Sequence, residues 1–212
     1  MSFQETKNAS SQILSQYTDT FESLSKQRQA FQIHPVPIEG LKALKRTVKE
    51  WSKQALEKCE IASSGTDIFA LDQFCNITAI CETILLSAVT DPNIQFFLCE
   101  DAEGNIQAMG SVAPDANDPS LLHLVDLMTH PHNIRADVNQ QESHRAQGAG
   151  SALLAYMEDW GSLQGKTRLL LSPFTEARDF YSKAGYRERG FQMIKTLTKT
   201  AQAADSALKN AA

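Results

Sequence analysis

The spacing of apolar side chains changes at Asp91–Asn93, and this change constrains the fold more than any other feature of the sequence. Upstream, apolar residues recur at steps of three and four, which predicts two helices. They are Leu41, Leu44, Val48, Trp51, Ala55 and Cys59, then Phe74, Ile77, Cys81, Ile84 and Ala88. Downstream, Ile94–Glu100 and Ile106–Val112 flank a polar turn containing glycine, which predicts a β-hairpin. Both periods together indicate an α/β protein.

The rest of the chain extends this order of elements. Two prolines, Pro35 and Pro37, exclude helix and favour an extended stretch around Phe31–Pro37. The further predicted elements are a strand at Leu121–Thr129, a helix from about Gly148 to Gln164, a buried strand at Thr167–Ser172, a short helix at Thr175–Ala184 with Thr175 as its N-cap, and a strand at Phe191–Thr198. The order α, β, αα, ββ, β, α, β, α, β indicates a sheet with mixed strand directions.

Composition excludes several classes of function. The 212 residues include 20 basic and 25 acidic side chains, and the net charge of −5 argues against nucleic-acid binding, which needs a basic face. We find no run of about 18 consecutive apolar residues and a polar N-terminus, so neither a membrane span nor a secretory signal is expected. The four cysteines lack metal-ligand spacing, so we expect no metal site, reduced thiols and a cytoplasmic location.

The N-terminal residues form a separate segment in this interpretation. Leu14, Tyr17, Phe21 and Leu24 share one face of a predicted helix. The stripe covers only about two heptads, which favours a helix packed on its own domain over a coiled coil. We therefore expect a helical extension at residues 1–30, one domain at 31–199 and a flexible tail at 200–212.

The segment Arg145–Gly150, between a predicted strand and a predicted helix, carries the clearest chemical signal. Its two glycines let the backbone approach a ligand, and the helix start presents unpaired N–H groups that suit a phosphate. A Rossmann fingerprint would need a third glycine where Leu153 stands, and a Walker loop would need a Gly-Lys-Ser/Thr sequence that is absent. A helix start containing glycine but holding no ligand remains the alternative.

A second motif, together with this segment, points to a known family. Thr175–Tyr186 contains the pattern Ala-x-x-Phe-Tyr-x-Lys-x-Gly-Tyr directly after an apolar strand, and Leu127–Pro131 ends a strand with a proline. Together with the Arg-x-x-Gly-x-Gly start of a helix, this order resembles the GNAT superfamily of N-acetyltransferases. The motifs cover roughly residues 121–191, and the upstream elements are compatible back to about Phe31.

The resemblance implies a fold and a cofactor site. The fold would be a mixed, mostly antiparallel central sheet, splayed between strands four and five and flanked by helices. Acetyl-CoA would lie where those strands separate, with no metal. Arg145 and the backbone N–H groups of the helix start would hold its pyrophosphate, and its pantetheine arm would pair with the end of strand four. The residues concerned are Gln147, Gly148, Ala149, Gly150 and Ser151 for the pyrophosphate, and Leu127, Met128 and Thr129 for the pantetheine.

The acid and the base are assigned less directly. Tyr181 matches the family tyrosine that protonates the departing thiolate, provided that Phe180 fills the core instead. An amine with a pKa of ~10.4 must lose a proton before it attacks. By strand alternation His123 shares a face with Thr129, so it is the candidate base. The alternatives are a structural histidine with a backbone partner, Glu100 or Asp126 as the base, or a chain of waters.

Two departures from the family pattern qualify the site. Residues His132–His144 lengthen the step from strand to loop by about eleven residues, and Phe174 stands where an asparagine is common. The sequence thus predicts an acetyl-CoA-dependent N-acetyltransferase acting on a primary amine of a small molecule or peptide. The alternative is a non-catalytic acyl-CoA-binding module. A homodimer is possible on either view, and we expect no nucleic-acid or membrane partner.

Overall fold

The computed structural model describes residues 31–63, 68–133 and 148–198. The strands are β1 Gln32–Pro35, β2 Gln95–Glu100, β3 Ile106–Pro114, β4 Leu121–Thr129, β5 Arg168–Leu171, β6 Arg187–Arg189 and β7 Gln192–Thr196. The helices are α1 Leu41–Ser63, α2 Ile68–Thr90, α3 Ala149–Leu163 and α4 Arg178–Lys183, with 3-10 turns at Ile38–Gly40, Pro131–Asn133 and Thr175–Ala177. The predicted helix within residues 1–30 and the predicted tail lie outside the described residues.

The predicted elements within the described ranges are present, with two corrections. Thr175 is not the N-cap of the last helix: a 3-10 turn begins there, and α4 starts at Arg178 with no side-chain hydrogen bond to its cap. Strand β6 was not predicted, because its three residues are all exposed and charged and carry no apolar period. The domain boundaries at residues 30 and 199 stay predictions.

The described strands form one seven-stranded sheet in the order β1-β2-β3-β4-β5-β7-β6. Antiparallel pairing joins β1 to β2, β5 to β7 and β6 to β7. Strands β4 and β5 are parallel, with Leu121–Leu124 opposite Arg168–Leu171, because α3 lies between them in the chain and provides the crossover. β5 ends at Leu171, whereas β4 continues to Thr129. The predicted fold class, a mixed α/β protein with a mostly antiparallel open sheet flanked by helices, is confirmed.

The chain divides into two compact units. Among the described residues, unit 1 comprises 31–63, 68–111, 126–133 and 148–153, and unit 2 comprises 112–125 and 154–198. The core of unit 1 joins α1, α2 and the inner faces of strands: Val36, Leu44, Val48, Trp51, Ala55, Phe74, Ile77, Cys81, Ile84, Phe96, Leu98, Met109 and Met128. These include the buried stripes that predicted the two helices.

Helix α2 is the most apolar helix among the described residues. Its stretch Leu71–Thr90 is long and apolar enough to cross a membrane by length and composition, although it is not an unbroken apolar run. One stripe of it, Phe74, Ile77, Cys81 and Ile84, is buried in the core of unit 1, whereas Leu86 and Val89 are exposed. The expectation that the protein has no membrane partner stays a prediction.

The core of unit 2 lies between α3 and the strands β4, β5 and β7. Its most deeply buried side chains include Leu122, Leu154, Tyr156, Met157, Leu169 and Met193. The helix approaches the sheet closely at Gly161, where an added Cβ would lie 2.9 Å from Leu122 Cδ2. Only a glycine fits this contact without movement of the leucine.

Candidate functional site

Alternation along β4 separates its side chains into two classes. Leu122, Leu124, Asp126 and Met128 are buried, whereas His123, Val125, Leu127 and Thr129 are partly or fully exposed. This is the arrangement expected for a strand with one face packed and the other accessible. It agrees with the prediction that His123, Leu127 and Thr129 share a face and that Asp126 faces the other way.

The start of α3 in unit 1 approaches the end of β4 at one glycine. An added Cβ on Gly150 would lie 3.1 Å from Thr129 Cγ2, so a side chain at this position would require the threonine to move by a few tenths of an ångström. Gly148 has a φ of +89°, a conformation that favours glycine, and its carbonyl accepts the first helical bond from the Ala152 N–H at 2.9 Å. The preceding helical N–H groups have no partner within the helix.

This helix start therefore has the chemistry of an anion site. The N–H groups of Ala149, Gly150 and Ser151 lie at the positive end of the helix dipole. A phosphate group accepts such N–H groups well and needs close backbone approach. Arg145 and Gln147, the two predicted cofactor contacts at the entrance to this loop, lie outside the described residues.

His123 is paired with a carboxylate in unit 2. Its Nε2 lies 2.7 Å from Asp115 Oδ2, so the partner is a side chain and not the backbone group that the structural alternative supposed. Asp115 Oδ1 also accepts the backbone N–H groups of Asn117 and Asp118, each at 2.8 Å. The hydrogen bond from His123, followed by those two N–H groups, holds the pKa of Asp115 below its ordinary value.

Sequence reasoning missed Asp115, although a signal for it existed. The residue follows strand β3 and stands eight positions before His123. A tight connection between neighbouring antiparallel strands can bring such positions together. The composition of Pro114–Ser120 predicted only a polar turn.

The same connection is anchored to β5 within unit 2. Asp118 forms an ion pair with Arg168, and its other carboxylate oxygen accepts the Ser120 Oγ–H at 2.6 Å. Arg168 also donates to Ser120 Oγ at 3.1 Å. The hydrogen bond to Ser120 is the largest cause that keeps the pKa of Asp118 below its ordinary value. These contacts fix the turn from which Asp115 reaches His123.

Tyr181 is buried, with 7% of its surface exposed. Its ring packs edge-on against Phe180 at 5.0 Å and against Tyr186 at 5.6 Å between centroids. Phe180 is only partly buried, so the expectation that Phe180 fills the core while Tyr181 is left outside it is wrong. The short helix α4 turns the tyrosine inward, and burial raises the pKa of the neighbouring Tyr186 phenol.

The two reserve bases lie in unit 1. Glu100 Oε1 is 3.3 Å from His34 Nε2, so its carboxylate already has a partner. Asp126 is 5% exposed and accepts a hydrogen bond from Ser111 Oγ at 2.9 Å. Burial raises its pKa to about 6, and the bond from Ser111 opposes this rise. The surroundings of Asp126 thus raise the pKa of its carboxyl, but the side chain lies on the buried face of β4.

Comparison with known proteins identifies the domain. Residues 92–188 match the model of the family described as Acetyltransferase (GNAT) domain. This match to a GNAT acetyltransferase domain covers a little less than half of the chain. The resemblance found in the motifs is thereby confirmed over a segment that contains Leu127–Thr129, Gly148–Ser151 and Tyr181. No curated protein matches the chain in sequence.

Several solved structures similar to this chain are described as acetyltransferases. A GNAT-family acetyltransferase from Staphylococcus aureus is 16% identical, with a TM-score of 0.49, over 80% of this chain and 100% of the other. An acetyltransferase from Thermus thermophilus is 17% identical, with a TM-score of 0.46, over 79% of this chain and 97% of the other. Tetrahymena GCN5 is 14% identical, with a TM-score of 0.42, over 57% of this chain and 78% of the other.

The cysteines and acidic groups of the described residues show which other kinds of chemistry they could support. Burial raises the pKa of the Cys81 thiol to about 12 and that of Cys99 to about 12, so neither is a ready nucleophile. Within the described ranges, no group of three or more His, Cys, Asp or Glu side chains could hold a metal ion. The GNAT domain supports acyl transfer from acyl-CoA as cosubstrate.

Proposed function

We propose that the protein is an acetyl-CoA-dependent N-acetyltransferase that transfers the acetyl group directly to a primary amine of a small molecule or peptide. The observation that carries the proposal is the close approach of Gly150 to Thr129, within a segment that matches the GNAT family. That contact brings N–H groups at a helix start beside the end of a strand. A cosubstrate with both a pyrophosphate and an amide-bearing arm can use both.

The proposed cosubstrate contacts are those that the family resemblance implies. The N–H groups of Gln147–Ser151 would hold the pyrophosphate, with Arg145 adding positive charge. The backbone of Leu127–Thr129 would pair with the pantetheine amides as an added strand would. A net charge of −5 is compatible with this polyanionic cosubstrate because local N–H groups, not the net charge, bind the phosphates.

In this mechanism His123 and Tyr181 each carry out one proton transfer. His123 would accept a proton from the acceptor amine, which then forms the new N–C bond. The backbone N–H of Thr129 would stabilise the oxyanion that develops on the acetyl carbonyl. Tyr181, which keeps the position of the family tyrosine although its ring is buried, would give its proton to the thiolate as the C–S bond breaks. Direct transfer is supported by the raised pKa of the Cys81 and Cys99 thiols, which disfavours a covalent acetyl-enzyme intermediate.

Acceptor identity and biological setting complete the proposal. The acidic net charge favours cationic acceptors such as polyamines, aminoglycosides or lysine-bearing peptides, with no nucleic-acid or membrane partner. The cysteines of the described residues are free thiols, which supports a cytoplasmic location. A homodimer is compatible with these features. The competing proposal is a non-catalytic module that binds acyl-CoA.

Calorimetry and a thiol-release assay separate the two proposals. An N-acetyltransferase binds acetyl-CoA saturably and releases free CoA thiol when a suitable amine from a panel is added. A binding module is stabilised by CoA but releases no thiol with any amine. Absence of saturable acetyl-CoA binding by the folded protein would refute both.

The variant Gly150→Ala tests the predicted cosubstrate site directly. The added Cβ would sit 3.1 Å from Thr129 Cγ2, and the stiff side chain of Thr129 cannot move far without displacing the end of β4. We expect affinity for acetyl-CoA to fall about 10-fold, which corresponds to about 1.4 kcal/mol. The matched control is Gly40→Ala, whose added Cβ would lie 3.2 Å from Val36 Cγ1 outside the predicted site, and it should bind as the wild type does. Equal affinity of Gly150→Ala and wild type would place the site elsewhere.

A further inference from the structure

The pair formed by Asp115 and His123 has a role that the GNAT domain match does not assign. We infer that Asp115 is a positioning residue for His123, holding the imidazole in the tautomer whose Nδ1 accepts the proton of the acceptor amine. The inference rests on the proposed function, in which His123 is the general base. It adds a residue from the connection between β3 and β4 to the catalytic arrangement.

The tautomer follows from the chemistry of the contact. His123 Nε2 is 2.7 Å from Asp115 Oδ2, and an ionised carboxylate can only accept hydrogen bonds. Nε2 must therefore carry the proton and donate it. In a neutral imidazole the other nitrogen, Nδ1, then holds the acceptor lone pair. The side chain of His123 is 34% exposed, so the imidazole is not sealed from solvent.

Backbone hydrogen bonds hold Asp115 in place independently of its contact with His123. Its Oδ1 accepts two backbone N–H groups, from Asn117 and Asp118, and its own N–H donates to the Leu121 carbonyl at 3.2 Å. The charged groups on neighbouring elements, Asp118 and Arg168, neutralise each other in an ion pair. The carboxylate oxygen that faces His123 is therefore directed by the turn and not by the histidine.

This arrangement assists the base in a defined way. The ammonium form of the acceptor first gives one proton to Nδ1, and the neutral amine then forms the N–C bond while the electron pair of the breaking C–S bond leaves on sulfur. The sulfur takes the proton of Tyr181, and the second proton that the nitrogen loses on becoming an amide restores the Tyr181 phenol. The Nε2 proton stays between His123 and Asp115, whose negative charge then faces an imidazolium. Loss of the Nδ1 proton to solvent restores the neutral histidine for the next turnover.

Replacing Asp115 with asparagine gives a result that a purely structural role would not. The two backbone N–H groups would keep the amide oxygen in the place of Oδ1, so the amide NH₂ would face Nε2 and donate to it. That bond forces the proton onto Nδ1 and removes the basic lone pair from that nitrogen. Asp115→Ala leaves Nε2 free to keep its proton. We therefore expect the asparagine variant to be less active than the alanine variant.

Two measurements test the inference. Long-range ¹⁵N–¹H NMR of the imidazoles should show His123 as the Nε2–H tautomer in wild type and the Nδ1–H tautomer in Asp115→Asn, with His34 unchanged. In the thiol-release assay kcat should fall about 100-fold or more in Asp115→Asn, with KM nearly unchanged. The matched control is Asp101→Asn. Asp101 also accepts two backbone N–H groups in a turn, at 3.1 and 2.8 Å from Glu103 and Asn105, and its other carboxylate oxygen accepts the side chains of Asn105 and Gln107, which are not histidines.

The outcomes distinguish this inference from the proposed function. An unchanged His123 tautomer in Asp115→Asn, or an alanine variant that is less active than the asparagine variant, overturns the positioning role. Equal loss of activity and thermal stability in the Asp115 and Asp101 variants also overturns it. If wild type releases no thiol with any amine, the proposed function fails and the catalytic role fails with it, while the NMR result still decides whether the pair fixes the tautomer.

Discussion

Asp126→Asn should change how the stability of the protein depends on pH. Asp126 is buried on the packed face of β4, and burial raises the pKa of its carboxyl from 3.8 to about 6 despite the hydrogen bond from Ser111. Between these two pH values the folded protein holds a proton that the unfolded chain has released. Stability therefore falls as pH rises through this window, because the folded state must ionise a buried acid.

The magnitude follows from the size of the shift. A rise of about two pKa units corresponds to about 3 kcal/mol of free energy of unfolding, lost between about pH 4 and pH 7. Asparagine has nearly the same shape and can accept the Ser111 hydrogen bond, but it does not ionise. The wild type should lose this stability with rising pH, and the variant should not lose it.

Urea unfolding at a series of pH values measures the effect. The quantity to follow is the unfolding free energy of Asp126→Asn minus that of wild type, since hydrogen bonds gained or lost by the amide add a constant at every pH. We expect this difference to rise by up to about 3 kcal/mol from pH 4 to pH 8. Ser111→Ala, which removes the bond that opposes the shift, should move the transition to higher pH.

A flat difference across this range would refute the reasoning. It would mean that Asp126 ionises in the folded protein as readily as in water, and hence that β4 does not bury this side chain. Abolished acetyl transfer in the folded variant would instead make Asp126 a candidate base, as one sequence-based alternative supposes.

Two further predictions concern Tyr181 and a cysteine pair. Tyr181→Phe should lower kcat ~10–100-fold with little change in acetyl-CoA affinity, because only the proton donor is lost; unchanged kcat across the pH range would remove Tyr181 from the acid role. The sulfurs of Cys59 and Cys75 lie 3.7 Å apart. Oxidised glutathione should therefore convert the two thiols, by two exchange steps, to a Cys59–Cys75 disulfide that stabilises the folded protein by ~3 kcal/mol. Mass spectrometry should show loss of two hydrogens, absent in Cys59→Ser, whereas glutathione adducts alone would contradict the prediction.

The sequence predicted most of the fold because the patterns involved are local. The helical stripes of α1 and α2, the hairpin of β2 and β3, and the glycine-rich start of α3 each follow from side chains or backbone preferences within one element. The family motifs added the order of the later elements. Strand β6 was not predicted because its three charged residues show no alternation of apolar and polar side chains.

The candidate site was only partly predictable. Gly150 and Thr129 were identified separately, and the structure shows that they touch. Tyr181 was expected outside the core, but the orientation of the six-residue helix α4 turns it inward and leaves Phe180 partly exposed. Two adjacent aromatic residues look equivalent in sequence, so only the packing of the helix distinguishes them.

The sequence by itself determined most of the elements, their order and the residue types proposed for the acyl-CoA site. These properties depend on neighbours within a few residues, so they can be read along the chain. Tertiary structure alone decided the partner of His123 and the environment of Asp126. Both depend on which side chains the sheet brings together and on how much water it removes from them, and a one-dimensional pattern contains neither quantity.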